Sequence, residues 1–423
     1  MNQWTKYFAK NNLITQIEIN RINKLYQLGN DALLQHYNNS FLSIFKHAIK
    51  NAPFYKNLYQ SHGVSINDIK DITDINKLPI IDKNIIKSQV DKIYTNFNFL
   101  KVIGLTSGTT GTPLKIYRTP FDIAKEQAYI RHYRKLQGFN AGQPILSLRG
   151  VLGKSVTHEY FKPANILYIS SPNVNETTIE MFYDLIQKFK PVAVEAYPSY
   201  LHKLCIELEN KGLKLDIPIS FTSSETLLSW QREKIEPFLN TKIFDWYGNA
   251  ERSILIAQNA KMEYYPMPLY SINEFRSSSV ITTNLTNKSF PLIRYEVDDQ
   301  IEVESKDFLQ NLINPKILSI SGRQSDNVIL KDGSHVGCID HAFKGVNHIE
   351  MAQVHQYNVA DPIEIKLVVN PSFSKADEDQ LRANWMRMVG TEMELLFTYC
   401  DKTELTYIPY QKYHIIIKKK LNN

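Results

Sequence analysis

The strongest constraint on the fold lies in the middle of the chain, where helix and strand patterns alternate with short links. Short apolar runs of about six residues predict strands, and amphipathic stretches with a period of three to four residues predict the helices between them. The predicted order is helix 179–189, strand 192–197, helix 199–210, strand 217–222, helix 227–239 and strand 242–246. Because such crossovers are right-handed, this pattern predicts a parallel sheet built from βαβ units.

Polar clusters follow the three predicted strands. They are Tyr197-Pro198-Ser199, Ser223-Ser224-Glu225 and Tyr247-Gly248-Asn249-Ala250-Glu251. Each cluster alone is compatible with an ordinary turn. In a parallel sheet, however, ligands bind beyond the carboxyl ends of the strands, so three clusters in succession predict a shared binding site.

A helical region precedes this pattern. Apolar residues recur at spacings of three and four between Leu33 and Ala48, which places them on one face of a helix. The helix is predicted to end before Pro53, because proline cannot continue it. We interpret this face as core packing.

A smaller mixed segment follows the sheet pattern. After about residue 320 the sequence predicts a strand at 363–369, a helix at 375–388 and a last strand at 414–417. We therefore expect an α/β protein with a large N-terminal domain, residues 1–322, and a smaller α+β C-terminal lid domain, residues 323–423.

Composition narrows the class of protein. The chain has 423 residues, 43% hydrophobic and 22% charged, as in ordinary soluble domains. Its net charge of +6 is spread along the chain, so we expect no nucleic-acid partner. Three distant cysteines predict neither a disulfide framework nor a zinc site. We see no targeting segment or membrane span and expect a cytoplasmic protein; a homodimer stays an open alternative.

A segment rich in glycine and hydroxyl residues runs from Leu105 to Lys115. Glycines let backbone N–H groups turn inward around an anion, and the hydroxyls and Lys115 add donors and positive charge. The spacing matches neither a Walker A loop nor a dinucleotide fingerprint. The residues alone leave two readings, a polyphosphate loop and a hairpin turn without a ligand.

Four motifs together resemble the adenylate-forming superfamily of acyl-CoA synthetases, in that family's order. They are Thr106-Ser107-Gly108-Thr109-Thr110-Gly111-Thr112-Pro113 with Lys115, Tyr247-Gly248-Asn249-Ala250-Glu251, Arg294-Tyr295-Glu296-Val297-Asp298-Asp299, and Gly322-Arg323-Gln324-Ser325-Asp326. Segments such as Tyr197-Pro198-Ser199-Tyr200-Leu201 resemble the phenylacetate–CoA ligase-like branch. The stretch from Asp332 to Phe343 is more similar to the sub-branch associated with capsular polysaccharide biosynthesis.

The resemblance implies a role for each matched residue. The phosphate-binding residues would be Thr106, Ser107, Gly108, Thr109, Thr110, Gly111 and Lys115. The adenine-binding residues would be Ser223, Ser224, Glu225, Tyr247 and Gly248. The ribose would be held by Asp299 and Arg323, Mg²⁺ by Glu251, and the catalytic residues would be Lys412 and Glu251.

These roles imply ATP, Mg²⁺ and a carboxylic acid as reaction partners. The carboxylate attacks the α-phosphorus of ATP although both are negative, so cationic groups must stabilise the charge. The products of this half-reaction are acyl-AMP and pyrophosphate. The second half-reaction would pass the acyl group to coenzyme A or another thiol. Two alternatives stay open: transfer to an amine in surface polysaccharide synthesis, and a non-catalytic nucleotide-binding relative.

Three positions depart from the family pattern. Asp298 replaces the glycine before the ribose aspartate, so we expect an altered or strained turn there. Ser325 replaces an acidic hinge residue, and Gln411 replaces the glycine before Lys412. The latter two affect the second half-reaction. The sequence does not identify the acid.

Overall fold

The computed structural model describes most of the chain in several ranges. They are residues 3–95, 101–105, 114–148, 156–224, 227, 229–323, 328–331, 335–336, 342–343, 346, 348–358, 361–369, 371–401, 404–405 and 417–419. The described helices are α1 (Gln3–Lys10), α2 (Leu13–Leu25), α3 (Asn30–Asn51), α4 (Pro53–Ser61), α5 (Lys83–Ile93), α6 (Pro120–Leu136), α7 (Ile179–Phe189), α8 (Pro198–Asn210), α9 (Ser229–Leu239), α10 (Phe308–Ile313) and α11 (Lys375–Val389).

The strands of the larger part of the chain come first in sequence. They are β1 (Val102–Leu105), β2 (Lys115–Arg118), β3 (Ile145–Leu148), β4 (His158–Phe161), β5 (Ile166–Ile169), β6 (Ala193–Ala196), β7 (Ile219–Ser223), β8 (Lys242–Gly248), β9 (Leu255–Gln258), β10 (Tyr264–Pro266), β11 (Ser271–Phe275), β12 (Val280–Asn284), β13 (Tyr295–Val297), β14 (Asp299–Val303) and β15 (Ile317–Arg323). The remaining strands are β16 (Val328–Ile329), β17 (His335–Val336), β18 (Ile349–Gln356), β19 (Ile363–Val369), β20 (Leu395–Tyr399) and β21 (Ile417–Lys419).

A ten-stranded sheet forms the centre of the larger unit. Its order is β14-β15-β10-β9-β8-β7-β6-β3-β5-β4. The strands β5, β3, β6, β7 and β8 run parallel to one another. In sequence, α7 lies between β5 and β6, α8 between β6 and β7, and α9 between β7 and β8. The predicted parallel sheet of βαβ units is therefore confirmed. The antiparallel additions β4, β9 and β10 extend it on both sides.

Helices cover both faces of this sheet. On one face, α7, α8 and α9 contribute apolar side chains to a buried cluster that includes Val194 and Ala196 of β6. On the other face, α6 packs through Tyr129 and Tyr133 against Ala193 and Phe221. The helices α1 and α2 in turn pack on α6. Alternate residues of each strand thus face different helix layers.

The N-terminal helices share a third core with the sheet β11-β12-β13. The predicted apolar face of α3 is buried, and α3 ends at Asn51, before Pro53, as predicted. Arg294 is also buried here, with φ +51, and makes a bidentate ion pair with Glu274. Its guanidinium donates to the carbonyl oxygens of Asn76 (3.1 Å) and Leu78. Arg294 therefore joins distant parts of the chain.

The smaller unit contains residues 298–300 together with the described residues of 321–423. Its four-stranded sheet has the order β20-β19-β18-β21. One helix, α11, buries Leu381 and Trp385 against Val354 and Ile365 of this sheet. The predicted strand 363–369 and the predicted helix at 375–388 are confirmed in this α+β unit. Its action as a lid and the boundary after residue 322 stay predictions.

Two further findings concern the cysteines and the helices. Cys205 and Cys400 are free thiols. Cys338 lies outside the described residues. Within the described ranges, no helix has both the length and the apolar character that a membrane crossing requires.

Candidate active site at the carboxyl edge of the sheet

The described residues of the three polar clusters predicted from the sequence lie at one edge of the ten-stranded sheet. Ala196 of β6 is in register with Thr222 of β7, and Ser223 is in register with Trp246 of β8. Because the three strands are parallel and adjacent, their carboxyl ends open to the same edge. Ser223 is buried there, Ser224 follows with φ +71, and the side chain of Tyr247 is half-buried.

Gly248 occupies a position with little room for a side chain. It ends β8 and pairs with Leu255 of β9. An added Cβ would lie 3.2 Å from the carbonyl oxygen of Ile254, which is backbone and cannot easily withdraw. The glycine therefore keeps the β8–β9 connection narrow where the adenine residues are predicted.

Glu251 follows in the turn between β8 and β9, outside any helix. Two hydrogen bonds fix this turn: Asn249 Nδ2 donates to Ser253 Oγ (2.7 Å), and the Ser253 N–H donates to Asn249 Oδ1 (2.9 Å). The Glu251 side chain is only 5% exposed. Its Oε1 accepts a hydrogen bond from the Tyr295 hydroxyl at 3.1 Å. Two of the four motifs therefore meet at this carboxylate.

The chemistry of Glu251 suits Mg²⁺. Protein sites for Mg²⁺ commonly use one or two carboxylates, while waters and substrate phosphates complete the octahedron. The part of the chain that the structure describes contains no group of three or more acidic, histidine or cysteine side chains that could hold a metal alone. A single buried carboxylate at a predicted phosphate site fits an ion that arrives with its nucleotide.

The predicted phosphate loop is only partly within the described residues. Its flanking strands β1 and β2 form an antiparallel hairpin in which Leu105 pairs with Lys115. Lys115 is the first residue of β2 and is exposed. Thr106, Ser107, Gly108, Thr109, Thr110 and Gly111 lie outside the described residues, as do Glu225 and Lys412.

The two predicted ribose residues belong to the smaller unit. Asp299 is the first residue of β14 and is half-buried, and Arg323 ends β15, with a side chain outside the described part. Asp298, which replaces a glycine, does not adopt a left-handed backbone, so the strain expected at this residue is absent. Ser325 and Gln411 lie outside the described residues.

Sequence reasoning missed a buried carboxylate two residues before Tyr247. Asp245 of β8 is 6% exposed and accepts hydrogen bonds from Thr222 Oγ1 (2.6 Å) and the Tyr264 hydroxyl (2.7 Å). Burial raises the pKa of Asp245 to about 6, although both hydrogen bonds oppose the rise. No local pattern marks this residue, because its partners come from β7 and β10.

A set of charged side chains was also missed. Glu126 of α6 forms ion pairs with Arg118 (3.0 Å) and Arg252 (2.9 Å). Glu195 of β6 pairs with Arg134 of α6 and accepts a hydrogen bond from Ser147 Oγ at 2.8 Å. These residues are scattered along the chain, so only the fold brings them together. Arg252 directly follows Glu251, which places one end of the set at the candidate active site.

The comparisons with known proteins agree with the resemblance. No protein-family profile matches the chain. Protein CapK of Staphylococcus aureus is 26% identical over 328 residues, which cover 73% of this chain and 71% of CapK. The phenylacetate-coenzyme A ligase of Pseudomonas putida is 23% identical and covers 83% of this chain and 85% of the ligase. The corresponding ligase of Escherichia coli (strain K12) is 21% identical, with 84% and 88% covered.

Solved structures show the same fold. A crystal structure of 2-hydroxyisobutyryl-CoA ligase in the postadenylation state, in complex with 2-HIB-AMP, has a TM-score of 0.64 at 14% identity. The match covers 91% of this chain and 89% of that ligase. The expected fold class, mixed α/β with a large sheet, is therefore confirmed. In sequence and in fold, the chain resembles the phenylacetate–CoA ligase-like branch of the adenylate-forming enzymes, near CapK.

Proposed function

We propose that this protein is an ATP-dependent ligase that activates a carboxylic acid as its acyl-AMP and releases pyrophosphate. The observation that carries the proposal is the buried Glu251 carboxylate at the carboxyl edge of the sheet, held by the hydroxyl of Tyr295. Named relatives that cover most of the chain are CoA ligases, which supports the same reaction class. We propose coenzyme A or another thiol as the second acceptor.

In this proposal each group of predicted site residues has a task. The segment from Thr106 to Gly111, with Lys115, holds the β- and γ-phosphates. Ser223, Ser224 and Glu225 border the adenine with Tyr247 and Gly248, and Asp299 and Arg323 hold the ribose. Glu251 would hold Mg²⁺, which would neutralise phosphate charge when bound.

The chain's own groups then have mainly to position the reactants. The acid's carboxylate must approach the α-phosphorus in line with the leaving pyrophosphate, and a fixed geometry supplies much of the rate. Lys412 is proposed to stabilise negative charge on the phosphate oxygens during this approach. A narrow turn at Gly248 and the fixed side chain of Glu251 keep the nucleotide side of the site rigid.

The test is pyrophosphate release from ATP across a panel of aromatic, aliphatic, amino and sugar acids. Release that depends on one acid, and that Glu251→Gln reduces, supports the proposal. If ATP binds but no acid in the panel releases pyrophosphate, the non-catalytic alternative gains support. Adding Mg²⁺-chelating agent to an active mixture provides a second control.

The acceptor is tested separately. The similarity to CapK and the capsule-associated sub-branch favours keeping an amine acceptor as the second candidate. Product analysis by mass spectrometry with coenzyme A, and with amino sugars or amino acids in its place, distinguishes the two. An acyl-CoA product supports the thiol, whereas an amide that forms without coenzyme A supports the amine.

A further inference from the structure

The charged side chains around Glu126 and Glu195 carry more positive than negative charge. The set, which we call the cationic cluster, consists of Lys10, Arg118, Glu126, Arg134, Glu195 and Arg252. It contains four cations and only two carboxylates. The cluster therefore has a net charge of +2, and Arg118 and Arg252 share the single carboxylate of Glu126. Buried or half-buried charge without a counter-charge is costly, so an anion that binds there gains free energy.

Individual donors in the cluster also lack partners. The Nε atoms of Arg118 and Arg252 are buried and have no hydrogen-bond partner among the residues that the structure describes. Within the same described part, the Lys10 ammonium makes no hydrogen bond or ion pair. Lys10 ends α1, where the helix dipole favours a cation, but the dipole supplies no counter-ion.

Two cations of the cluster, Lys10 and Arg252, are accessible to solvent. Lys10 is exposed to solvent, yet burial lowers the pKa of its ammonium, although the neighbouring Glu126 and Glu195 oppose the shift. The side chain of Arg252 is 38% exposed, whereas that of Glu126 is 11% exposed. The cations are thus more accessible than this carboxylate.

The position of the cluster relates it to the candidate active site. Arg252 adjoins Glu251 at the carboxyl edge of the sheet. Glu195 lies deeper, because it is in register with Phe221, two residues before Ser223 on the neighbouring strand. Two residues of a strand span about 7 Å. The cluster therefore extends from the edge, where the nucleotide is proposed to bind, into the face of the sheet that α6 covers.

The sheet face beside the cluster carries polar side chains as well. Ser147 and Tyr168 are in register with each other, and Ser147 is in register with Glu195, so these three side chains form a row on one face. Arg134 lies above this row, 5.0 Å from the ring centre of Phe221. An apolar acid bound here would displace water from the charged side chains without offering them a hydrogen bond or a counter-charge, which costs free energy.

We propose that the cationic cluster selects a hydrophilic acid with a second anionic group, such as a dicarboxylate. This inference rests on the proposed function, because it assigns the far end of the acid that the site activates. The reacting carboxylate lies at the Arg252 end, next to Glu251. The second anion lies deeper, against Lys10 and Arg134.

The experiment compares acids in pairs that differ only in the second carboxylate. The pairs are succinate and butyrate, glutarate and valerate, and 4-carboxyphenylacetate and phenylacetate. Binding to the full chain is measured by calorimetry without ATP, and pyrophosphate release is measured separately with ATP. The variants are Lys10→Gln, Lys10→Arg as the conservative exchange, and Lys46→Gln on the exposed side of α3 as a matched control.

We expect at least one dicarboxylate to bind about tenfold or more tightly than its partner, which is the effect of about one additional charged contact. Lys10→Gln should remove this preference, Lys10→Arg should keep most of it, and Lys46→Gln should leave it unchanged. The KM for ATP should stay the same in all variants. Melting temperatures show whether each variant is folded.

Two outcomes overturn the inference. One is that no pair shows a preference for the dicarboxylate, or that the preference survives Lys10→Gln. The other is that Lys10→Gln raises the KM for ATP, which would make the cluster part of the triphosphate site. Pyrophosphate release with an apolar monocarboxylate would sustain the proposed function alone. Selective binding of a dicarboxylate without any pyrophosphate release would sustain the cluster and refute the ligase.

Discussion

The hydrogen bond from Tyr295 to Glu251 joins residues that are 44 positions apart in the sequence. Glu251 is the last residue of one family motif, and Tyr295 is the second residue of another, which begins at Arg294. Arg294 itself is buried in an ion pair with Glu274, so it stabilises the fold beside the site. The bond from Tyr295 therefore connects a structural core to the proposed metal-binding carboxylate.

Tyr295→Phe removes this bond and keeps the ring. Hydrogen bonds to charged groups contribute about 1.5 to 3 kcal/mol, so we expect the Mg²⁺ concentration for half-maximal pyrophosphate release to rise roughly tenfold or more. The measurement is a Mg²⁺ titration at saturating ATP. Tyr160→Phe, on the exposed edge strand β4, is the control. An unchanged Mg²⁺ requirement in Tyr295→Phe would contradict the role of Glu251.

The raised pKa of Asp245 leads to a prediction about how the stability of the protein depends on pH. Burial raises the pKa of Asp245 from 3.8 to about 6 in the folded protein. The folded state therefore holds this proton more tightly than the unfolded state, and the contribution of Asp245 to stability falls as pH rises from about 4 to 6. The loss is on the order of 3 kcal/mol, since one pKa unit corresponds to about 1.4 kcal/mol.

Asp245→Asn should abolish that component. The free energy of unfolding is measured with urea at pH 4 and at pH 6.5. In the variant we expect stability at pH 6.5, relative to stability at pH 4, to be higher than in the unaltered protein. Asp184→Asn on the exposed side of α7 should behave like the unaltered protein. Identical pH profiles for Asp245→Asn and the unaltered protein would show that the carboxyl titrates normally.

At the scale of residues, the sequence predicted only those site positions that belong to local motifs. Gly248 and Glu251 could be predicted as site residues because their motif is contiguous. Asp245, Lys10 and Glu195 were missed, since their roles depend on partners from other strands and helices. A single sequence contains no signal for such tertiary pairs.

At the scale of elements, the alternating pattern predicted the order of the central helices and strands correctly, with small errors at the ends. The predicted strand 217–222 begins at Ile219 instead, because Pro218 has no N–H for the ladder. The predicted strand 192–197 ends at Ala196, since Pro198 takes the first position of α8 and Tyr197 becomes its N-cap. The antiparallel strands β9 and β10 were not predicted, because neither shows a strong period.

The end of α7 gives a prediction at this scale. Lys190 caps the helix with a left-handed backbone, φ +52, and its N–H donates to the Ile186 carbonyl oxygen at 2.9 Å. Glycine adopts this conformation without the steric cost of a Cβ, so Lys190→Gly should stabilise the protein by about 0.5 to 1 kcal/mol. Lys188→Gly, inside α7 and also exposed, should destabilise it by a similar amount.

Chemical denaturation of the two lysine variants provides the measurement. The signs of the two changes should be opposite although the substitution is the same. A loss of stability in both variants would mean that contacts of the Lys190 side chain stabilise the protein by more than its left-handed backbone costs.

At the scale of the whole molecule, we predict that acyl-AMP formation needs Lys412 as well as Glu251, whereas transfer of the acyl group does not need Lys412. Lys412 belongs to the C-terminal lid predicted from the sequence, whereas Glu251 lies in the larger unit. Lys412→Ala should reduce acyl-AMP formation by about a hundredfold or more, because it removes one stabiliser of developing charge. Transfer from supplied acyl-AMP to the acceptor should be preserved.

Single-turnover assays of each half-reaction test this division. Lys418→Ala, in the neighbouring basic run, is the control and should affect neither step. Equal loss of both steps in Lys412→Ala would assign the lysine a structural role. The sequence predicted two domains at this scale but not the order of the ten-stranded sheet, since strand neighbours are set by long-range pairing.

The contacts of the N-terminal helices have a consequence for synthesis of the chain. The hydroxyl oxygen of Tyr37 accepts a hydrogen bond from the backbone N–H of Leu269, and that of Tyr55 accepts one from the N–H of Ile293. The two pairs are separated by 232 and 238 residues in the sequence. A ribosome that adds about 5 to 20 residues per second needs roughly 10 to 50 s to make these partners. During that interval α3 and α4 expose their apolar faces in the cell, and molecular chaperones have their best opportunity to bind the nascent chain.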